Sequence, residues 1–515
     1  MNAQDEKFNL LTLFFAVIFI VSIFSRFTAS AGIYSAVFFA VSIVFLFKFN
    51  KYSFDRTILL PAIFFIAAII ISYYASDFKY NARNNVLLFS SAAGLYALCG
   101  LLTQHDKKSV MLIPVLIALW LTIYLFATNF AFSKLLEPQS AQEYMRAVAG
   151  FLVAALCLSF VFWWTERKIY FYTSFIIFFA IIMTKSYFAS AIASLAFASF
   201  LFFMREKIRV RAYLTLLPFL CVFAVCVYFL ANSSFFQQKI ICWQTALSVI
   251  KDNFWTGAGL GNYQIVSSAY VDWQTAALSQ PENIFLLVFA EIGVAGFGAF
   301  ALLIAMFFYF SFRRLKTGGD KTLYLPVLMA GSSFLTFAFF ESCVLTSTNI
   351  LLLFALLAFP LDFKEAVKRR RSVNSYFLIA LILPLALSLG KPLYAQQQYK
   401  KGIAFFAVKK YTLSHDYFLS ALDNDCLNPD YASKLSDNFF AVYSQNEREI
   451  DLNNAVEYAK YALSLNGYNA KYYYQLAWLY HFKNEKQKAS DYISKAVEID
   501  KYNKIYLDSY KELIY

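Results

Sequence analysis

RAVAGFLVAALCLSFVFWW, residues 146–164, carries one charge, at its leading Arg146, and then apolar side chains to its end. Such a run has the length and composition of a membrane-crossing helix. Comparable runs recur near 8–25, 31–47, 57–76, 85–103, 109–131, 168–184, 186–203, 211–231, 284–310, 322–343, 346–361 and 374–394. The first has Lys7 before it and Ala-Ser-Ala after it, as a signal peptide does, but a second run follows at once and it reads as an uncleaved first helix. The expectation is an all-α protein with about thirteen transmembrane helices over 1–394. A soluble α-helical domain follows over 395–515.

Composition agrees. Of 515 residues, 60% are hydrophobic and 15% charged, with 59 Phe and 36 Tyr. Such a chain cannot hide its apolar surface within itself. That excludes a soluble enzyme, a disordered protein and a disulfide scaffold. The seven Cys form no CxxC pair and no zinc-ligand spacing. The net charge of +13 would suggest nucleic acid if it were clustered. From Ala395 onward basic and acidic residues balance, so the excess lies between the apolar runs, where it fixes orientation. With the N-terminus in the cytoplasm, the inner loops collect Lys48, Lys51, Lys107, Lys108, Arg205, Arg313, Arg314 and Arg369–Arg371, among others. The outer loops hold only Arg26, Lys79, Arg83, Lys134, Arg146, Lys185, Lys239 and Lys251. An odd number of spans puts the tail outside. No nucleic-acid partner is expected.

The tail repeats. Ala455 and Ala462 stand 34 residues before Ala489 and Ala496, and Tyr473, Leu476, Ala477 and Tyr480 precede the second pair at tetratricopeptide offsets. A looser unit includes Tyr411, Tyr417, Phe418, Ala421 and Pro429. Repeats of this kind hold a partner or a neighbouring domain, so an envelope protein partner is expected there.

Polar chemistry has few places to sit. The three His are His105 in an inner loop and His415 and His481 in the tail. That removes Ser-His and Cys-His pairs and His-based metal ligation from the membrane face. The long outer loop, 232–283, is the most informative stretch. It opens with Lys239, Trp243 and an amphipathic segment expected to put Ile240, Trp243, Leu247 and Ile250 on one side. Asp252 follows, then Gly257-Ala-Gly259-Leu-Gly261-Asn262. These glycines follow a helix and lack the GxGxxG spacing, so they form a tight turn rather than a nucleotide loop. The loop ends Pro281-Glu282-Asn283, and Glu291, Gly293 and Gly296 follow inside the next apolar run. At that position Glu282 has a structural role open to it, as a helix-capping carboxylate. Glu291 and Glu341 are the deepest acidic groups, which is the basis of a transporter reading. Gly293 and Gly296 are candidates for close helix packing.

As a set, these residues resemble the O-antigen ligase and polymerase family of bacterial envelope enzymes. That family's pattern has a basic residue four before a Trp, a helix ending in Asp and a Gly-x-Gly-x-Gly-Asn turn. A His-Asn pair, nine residues and Gly-x-x-Gly follow. Lys239 and Trp243, Asp252, Gly257, Gly259, Gly261 and Asn262, and Asn283 with Gly293 and Gly296, match it in turn. The chain departs where the family has His, which is Glu282 here. A Thr-x-Ser-Arg motif also appears as Thr184-Lys185-Ser186-Tyr187, and Lys239 stands where Arg is common.

The resemblance implies transfer of a glycan from undecaprenyl pyrophosphate to an acceptor hydroxyl of a lipid, glycan or protein, at the outer face of the cytoplasmic membrane. It implies no nucleotide sugar, no metal and no other cofactor. By the same likeness Glu282 is the general base, with Ile284 and Phe285 as apolar neighbours, and Lys239 meets the pyrophosphate. Lys185, Arg83 and Arg146 are further substrate-binding candidates, with Asn283 and Trp243 beside them. A ligase is expected. A polymerase using the same donor is the runner-up, ahead of an inactive envelope scaffold or a transporter.

Overall fold

The computed structural model describes residues 56–76, 78–100, 102, 104–129, 138–165, 169–184, 186–203, 212–231, 235–267, 270, 281–317, 320–341, 347–361, 391–392, 394–500 and 503–514. Among them every long element is a helix and no strand occurs. The membrane-type part runs α1 (Arg56–Ala75), α2 (Lys79–Cys99), α3 (Gln104–Asn129), α4 (Pro138–Thr165), α5 (Ile169–Met183), α6 (Tyr187–Phe203), α7 (Ala212–Ala231), α8 (Phe235–Asp252), α9 (Tyr263–Ser267), α10 (Ile284–Lys316), α11 (Lys321–Phe340) and α12 (Ser347–Ala358). The runs expected at 8–25 and 31–47, and nearly all of 374–394, lie outside the described residues.

Three helices among the described residues are long and apolar enough to cross a membrane: Met145–Trp164 within α4, α10 and α11. Shorter apolar stretches among the described residues are Leu60–Ala75, Asn85–Cys99, Tyr170–Met183, Tyr187–Phe202, Phe219–Phe229 and Thr348–Ala358, so three candidate spans stand against the thirteen expected. Helix α5, with 15 residues, rises only about 22 Å at 1.5 Å per residue, against a hydrocarbon core of ~30 Å.

Helix α4 is the hub. It is buried on nearly all sides, from Ala147 to Phe162, and packs against α3, α5, α6 and α11. Helix α10 lies along α1 and α11, while α12 fills the gap beside α2. The outward faces stay apolar. Ile63, Phe64 and Ile71 of α1, Trp120 and Ile123 of α3, Phe175 and Phe179 of α5, and Tyr228 and Phe229 of α7 are all exposed. A bundle with a buried core and an apolar exterior lacks the polar outer face of a globular domain.

The tail is a row of helical hairpins: α13 (394–407) with α14 (Tyr411–Asn424), α15 (Pro429–Asn446) with α16 (Glu449–Leu465), and α17 (Ala470–Phe482) with α18 (Lys486–Ile499). Helix α19 (Lys504–Ile514) packs on the last of them. Each hairpin turns through a left-handed residue, Lys409 (φ 59°), Glu447 (φ 53°) and Asn484 (φ 60°). The second helices start at Tyr411, Glu449 and Lys486, 38 and 37 residues apart rather than the 34 expected from Ala455 and Ala489, and Ala421, Ala459 and Ala496 are fully buried at equivalent places in them. The looser first unit is thus a full hairpin, with Phe418 and Pro429 buried as well.

The tail touches the bundle at the α1–α2 loop. Arg83 of α2 donates two parallel hydrogen bonds to Asp425, at 2.8 and 2.9 Å. Phe78 meets the edge of Tyr468, with centroids 5.4 Å apart. The α1–α2 loop, the glycine turn that packs on it and the tail therefore share one end of the bundle.

Candidate functional site

Four charged side chains from four parts of the chain meet at that end. Lys239 enters from the first turns of α8 and Arg146 from α4. Glu282 sits just before α10, and Glu341 caps the C-terminus of α11. Arg146 Nη1 lies 3.1 Å from Glu282 Oε1 and 3.9 Å from Glu341 Oε2. Lys239 Nζ donates to Glu282 Oε2 and to the Phe340 carbonyl, and lies 3.8 Å from Glu341 Oε2. The lysine and Glu341 are almost wholly enclosed, Glu282 is nearly so, and Arg146 keeps 39% of its side chain open. Buried charges survive only when paired, and here two cations face two carboxylates.

The backbone on either side of Glu282 fixes its direction. Glu282 has φ 47°, in the left-handed region, which an L-residue occupies only at a cost. The next residue, Asn283, is extended and caps α10: its side chain accepts from the Phe285 and Leu286 N–H groups, at 2.9 and 3.2 Å. The capping role considered for Glu282 therefore belongs to Asn283, and the Asn283 carbonyl is committed to the helix. Glu282 is left free to turn away from the helix axis. Its carboxylate meets Lys239 and Arg146, not the apolar environment expected from Ile284 and Phe285.

The glycines hold this end of α10 in place. Gly257, Gly259 and Gly261 all have positive φ (70°, 95° and 76°), and α10 breaks at Gly293 (φ 73°, ψ −173°). Turn and break interlock backbone to backbone. Ala258 N–H donates to the Ala290 carbonyl at 2.8 Å, Gly259 N–H to the Glu291 carbonyl at 3.0 Å, and Val294 N–H to the Phe254 carbonyl at 3.0 Å. A Cβ on Gly257 would stand 2.3 Å from the Glu291 carbonyl, and one on Gly293 2.3 Å from the Trp255 carbonyl. Asn262 fastens the turn to the α1–α2 loop, donating to Ser76 Oγ at 2.7 Å and to the Phe78 carbonyl at 3.2 Å. Gly296 lies over Ala68 of α1, as expected for close helix packing.

Glu291 belongs to the same joint. Its carboxylate accepts from the backbone N–H of Tyr263 at 3.2 Å and from that of Gly261. Its own carbonyl takes the Ser72 hydroxyl at 2.7 Å. An acidic group satisfied by backbone donors is a structural anchor, so the strongest single feature behind a transporter is absorbed by the turn.

The remaining candidates divide. Trp243 packs against Phe339 and Phe340 at the end of α11, with centroids 5.6 and 6.1 Å away, and so walls the Lys239 side of the cluster. Its indole N–H is buried with no partner among the described residues. Arg83 does not join the cluster, because it is engaged with Asp425 of the tail. Lys185 lies outside the described residues. Helix α8 also turns a different face inward than expected. Cys242, Ala246, Val249 and Ile250 are buried, against Tyr263, Leu287 and Ala290, while Ile240 and Leu247 are about half exposed. Glu341, noted in the sequence only as a deep charge, is the group that the cluster adds.

No protein-family model matches the chain, and no curated protein matches it. Among solved structures, the first TPR of Spaghetti (RPAP3), bound to the HSP90 peptide SRMEEVD, is similar over 24% of this chain and 90% of that one. The identity is 17% and the TM-score 0.22.

Proposed function

We propose that the protein is a membrane glycan transferase of the O-antigen ligase type, moving a glycan from undecaprenyl pyrophosphate to an acceptor hydroxyl at the outer face of the cytoplasmic membrane. One observation carries the reading: Lys239, Arg146 and Glu282 meet in one partly enclosed cluster, on the end of the bundle that bears the glycine turn. Cations for a pyrophosphate and a carboxylate for a hydroxyl proton are the groups this reaction requires.

In the reaction, the acceptor O–H gives its proton to Glu282 as the acceptor oxygen bonds to the sugar C1. The C1–O bond to phosphorus breaks, and its electron pair leaves on the pyrophosphate. Arg146 grips phosphate oxygens through its planar fork and Lys239 supplies a point charge. Both cations face Glu282 before donor arrives, so phosphate oxygens take its place on them and leave its carboxylate free to act as base. Trp243 closes the apolar side. The tail, docked through Arg83 and Asp425, stands over the same end and offers a surface to an envelope partner.

The test is transfer in proteoliposomes. Undecaprenyl-pyrophosphate-linked oligosaccharide is supplied with lipid and glycan acceptors, and wild type is compared with Glu282→Gln at matched folded yield. Loss of a general base lowers turnover by about 10²–10⁴-fold. Transfer that survives the substitution removes Glu282 as base. Absence of transfer by wild type, from donors that a known ligase consumes in parallel, refutes the activity. A single modification of lipid acceptor marks a ligase, and lengthening of carrier-linked glycan marks a polymerase.

A further inference from the structure

We infer that Glu341 is a positioning residue for the transfer: it holds Lys239 and Arg146 at the site while Glu282 is away from them, and it sets the site's charge. The inference rests on the proposed function and concerns the same cluster. Glu341 Oε2 lies 3.8 Å from Lys239 Nζ and 3.9 Å from Arg146 Nη1, nearly equidistant from the two cations. It makes no hydrogen bond through that oxygen among the described residues, although its side chain is only 4% exposed. Glu282 makes the closer contacts to both cations and comes from a different strand of the chain. The two carboxylates therefore grip one pair of cations from different sides, one tightly and one at a distance.

That geometry has a consequence during reaction. Once Glu282 accepts the acceptor's proton it is neutral and no longer pairs with either cation. Without Glu341, Lys239 would then be a buried lysine with neither of these two carboxylates to balance its charge. With it, the cations keep a carboxylate within 4 Å at every stage. The position at the end of α11 suits this role, because Phe340 supplies the carbonyl that receives Lys239 and the very next residue supplies the charge. With both carboxylates ionised the four side chains sum to zero charge, which favours release of the product pyrophosphate.

Glu341→Gln makes the cluster net cationic while keeping side-chain volume. Binding of undecaprenyl pyrophosphate in detergent is measured beside transfer, for the full-length chain. The expected result is a split: donor affinity rises, on the order of tenfold, while kcat falls at least as much, because Glu282 is then the one carboxylate of the cluster and is held more tightly by its two cations. Glu341→Asp keeps the charge one methylene further back. It should retain near wild-type donor affinity with a smaller loss of kcat, and it tests the same point if the Gln variant does not fold. A merely structural residue would weaken donor binding and melting temperature together, and that outcome overturns the inference. So does either variant with unchanged kcat. Tighter donor binding in Glu341→Gln without any transfer by wild type would support the charge-setting role and refute the transferase reading, so the two fail separately.

Discussion

Gly293→Ala should unfold the site end of the bundle, and the cost follows from the interlock. The native backbone there is left-handed, at φ 73°. With ψ at −173° this is a region essentially confined to glycine, and an alanine there costs about 1–3 kcal/mol. The added Cβ would lie 2.3 Å from the Trp255 carbonyl oxygen and 2.8 Å from Gly257 N. Both are backbone atoms, so no rotamer change relieves the clash, and overpacking of this kind costs about 1–3 kcal/mol more. The sum is roughly 2–6 kcal/mol. If the turn lifts to make room, the three cross-bonds between turn and helix weaken as well. Gly298 is the control in the same helix, because nothing lies within 4 Å of a Cβ built there. Gly298→Ala should be neutral or stabilise by up to ~1 kcal/mol. Thermal and denaturant unfolding in detergent would compare the two. Gly257→Ala meets Glu291 backbone from the other side of the same contact, so the Gly257→Ala/Gly293→Ala double variant should cost less than the sum of the singles. A Gly293→Ala protein as stable as wild type, or a Gly298→Ala protein equally damaged, would refute the interlock.

Three further outcomes follow. Lys239→Ala leaves two carboxylates facing Arg146 alone, and should destabilise by about 3–5 kcal/mol. Adding Glu282→Gln should recover part of that loss in denaturant unfolding, and full additivity of the two would argue against a coupled cluster. Arg83→Ala and Asp425→Ala should each loosen the tail, read as faster hydrogen exchange in α14 and in the α1–α2 loop, and the double variant should be no worse than either single. Independent effects would mean that the tail is held by other contacts. Cys426 is exposed on the tail and should react with a membrane-impermeant maleimide in cells whose outer envelope is opened but whose cytoplasmic membrane is intact, with Cys426→Ser as control. Labelling only after lysis would place the tail inside, and would remove the outer-face site with it.

The tail and the glycine motif were the most legible features, for different reasons. In the tail, the second helices bury a small side chain at the same place, Ala421, Ala459 and Ala496, so a repeat of alanines shows through the rest of the sequence although the hairpins are 38 and 37 residues apart rather than 34. In the motif, positive φ and backbone contact leave glycine as the residue that fits, so Gly257, Gly259, Gly261 and Gly293 stand out without a structure. The inward face of α8 could not be read the same way. In a globular helix the larger apolar residues point to the core, but this bundle is also apolar outside. Small Cys242 and Ala246 allow α8 to lie close to α10, and the larger Ile240 and Leu247 point outward. Arg83 was illegible for a plainer reason: its partner Asp425 is 342 residues away, and charge alone does not name a partner at that distance. Glu341 was hidden by its place at the end of an apolar run, where it reads as a boundary residue until the end of α11 is seen beside Lys239.

The division between scaffold and chemistry bears on what the Glu282 position can mean. Every glycine of the motif, with Asn262, Asn283 and Glu291, is used in holding the turn, the break in α10 and the helix cap. Those residues can persist in a protein whatever reaction it performs, so their agreement with the envelope-enzyme pattern speaks to architecture. The chemical argument rests on the residues that are not needed for that architecture. Glu282 leaves the cap to Asn283 and takes a left-handed backbone to face two cations, an arrangement with no part in the helix start. A histidine at the same place would be neutral or cationic and could not offset the charge of Lys239 and Arg146. A glutamate instead pairs with them, and Glu341 then brings the four groups to neutrality. The substitution of carboxylate for imidazole and the presence of a second carboxylate are thus one electrostatic solution. Changing Glu282 to His in this chain should retain activity only if Glu341 is kept to offset the pair of cations, and transfer by Glu282→His compared with Glu282→His/Glu341→Gln measures that dependence directly. Equal turnover in the two would show that the carboxylates act independently.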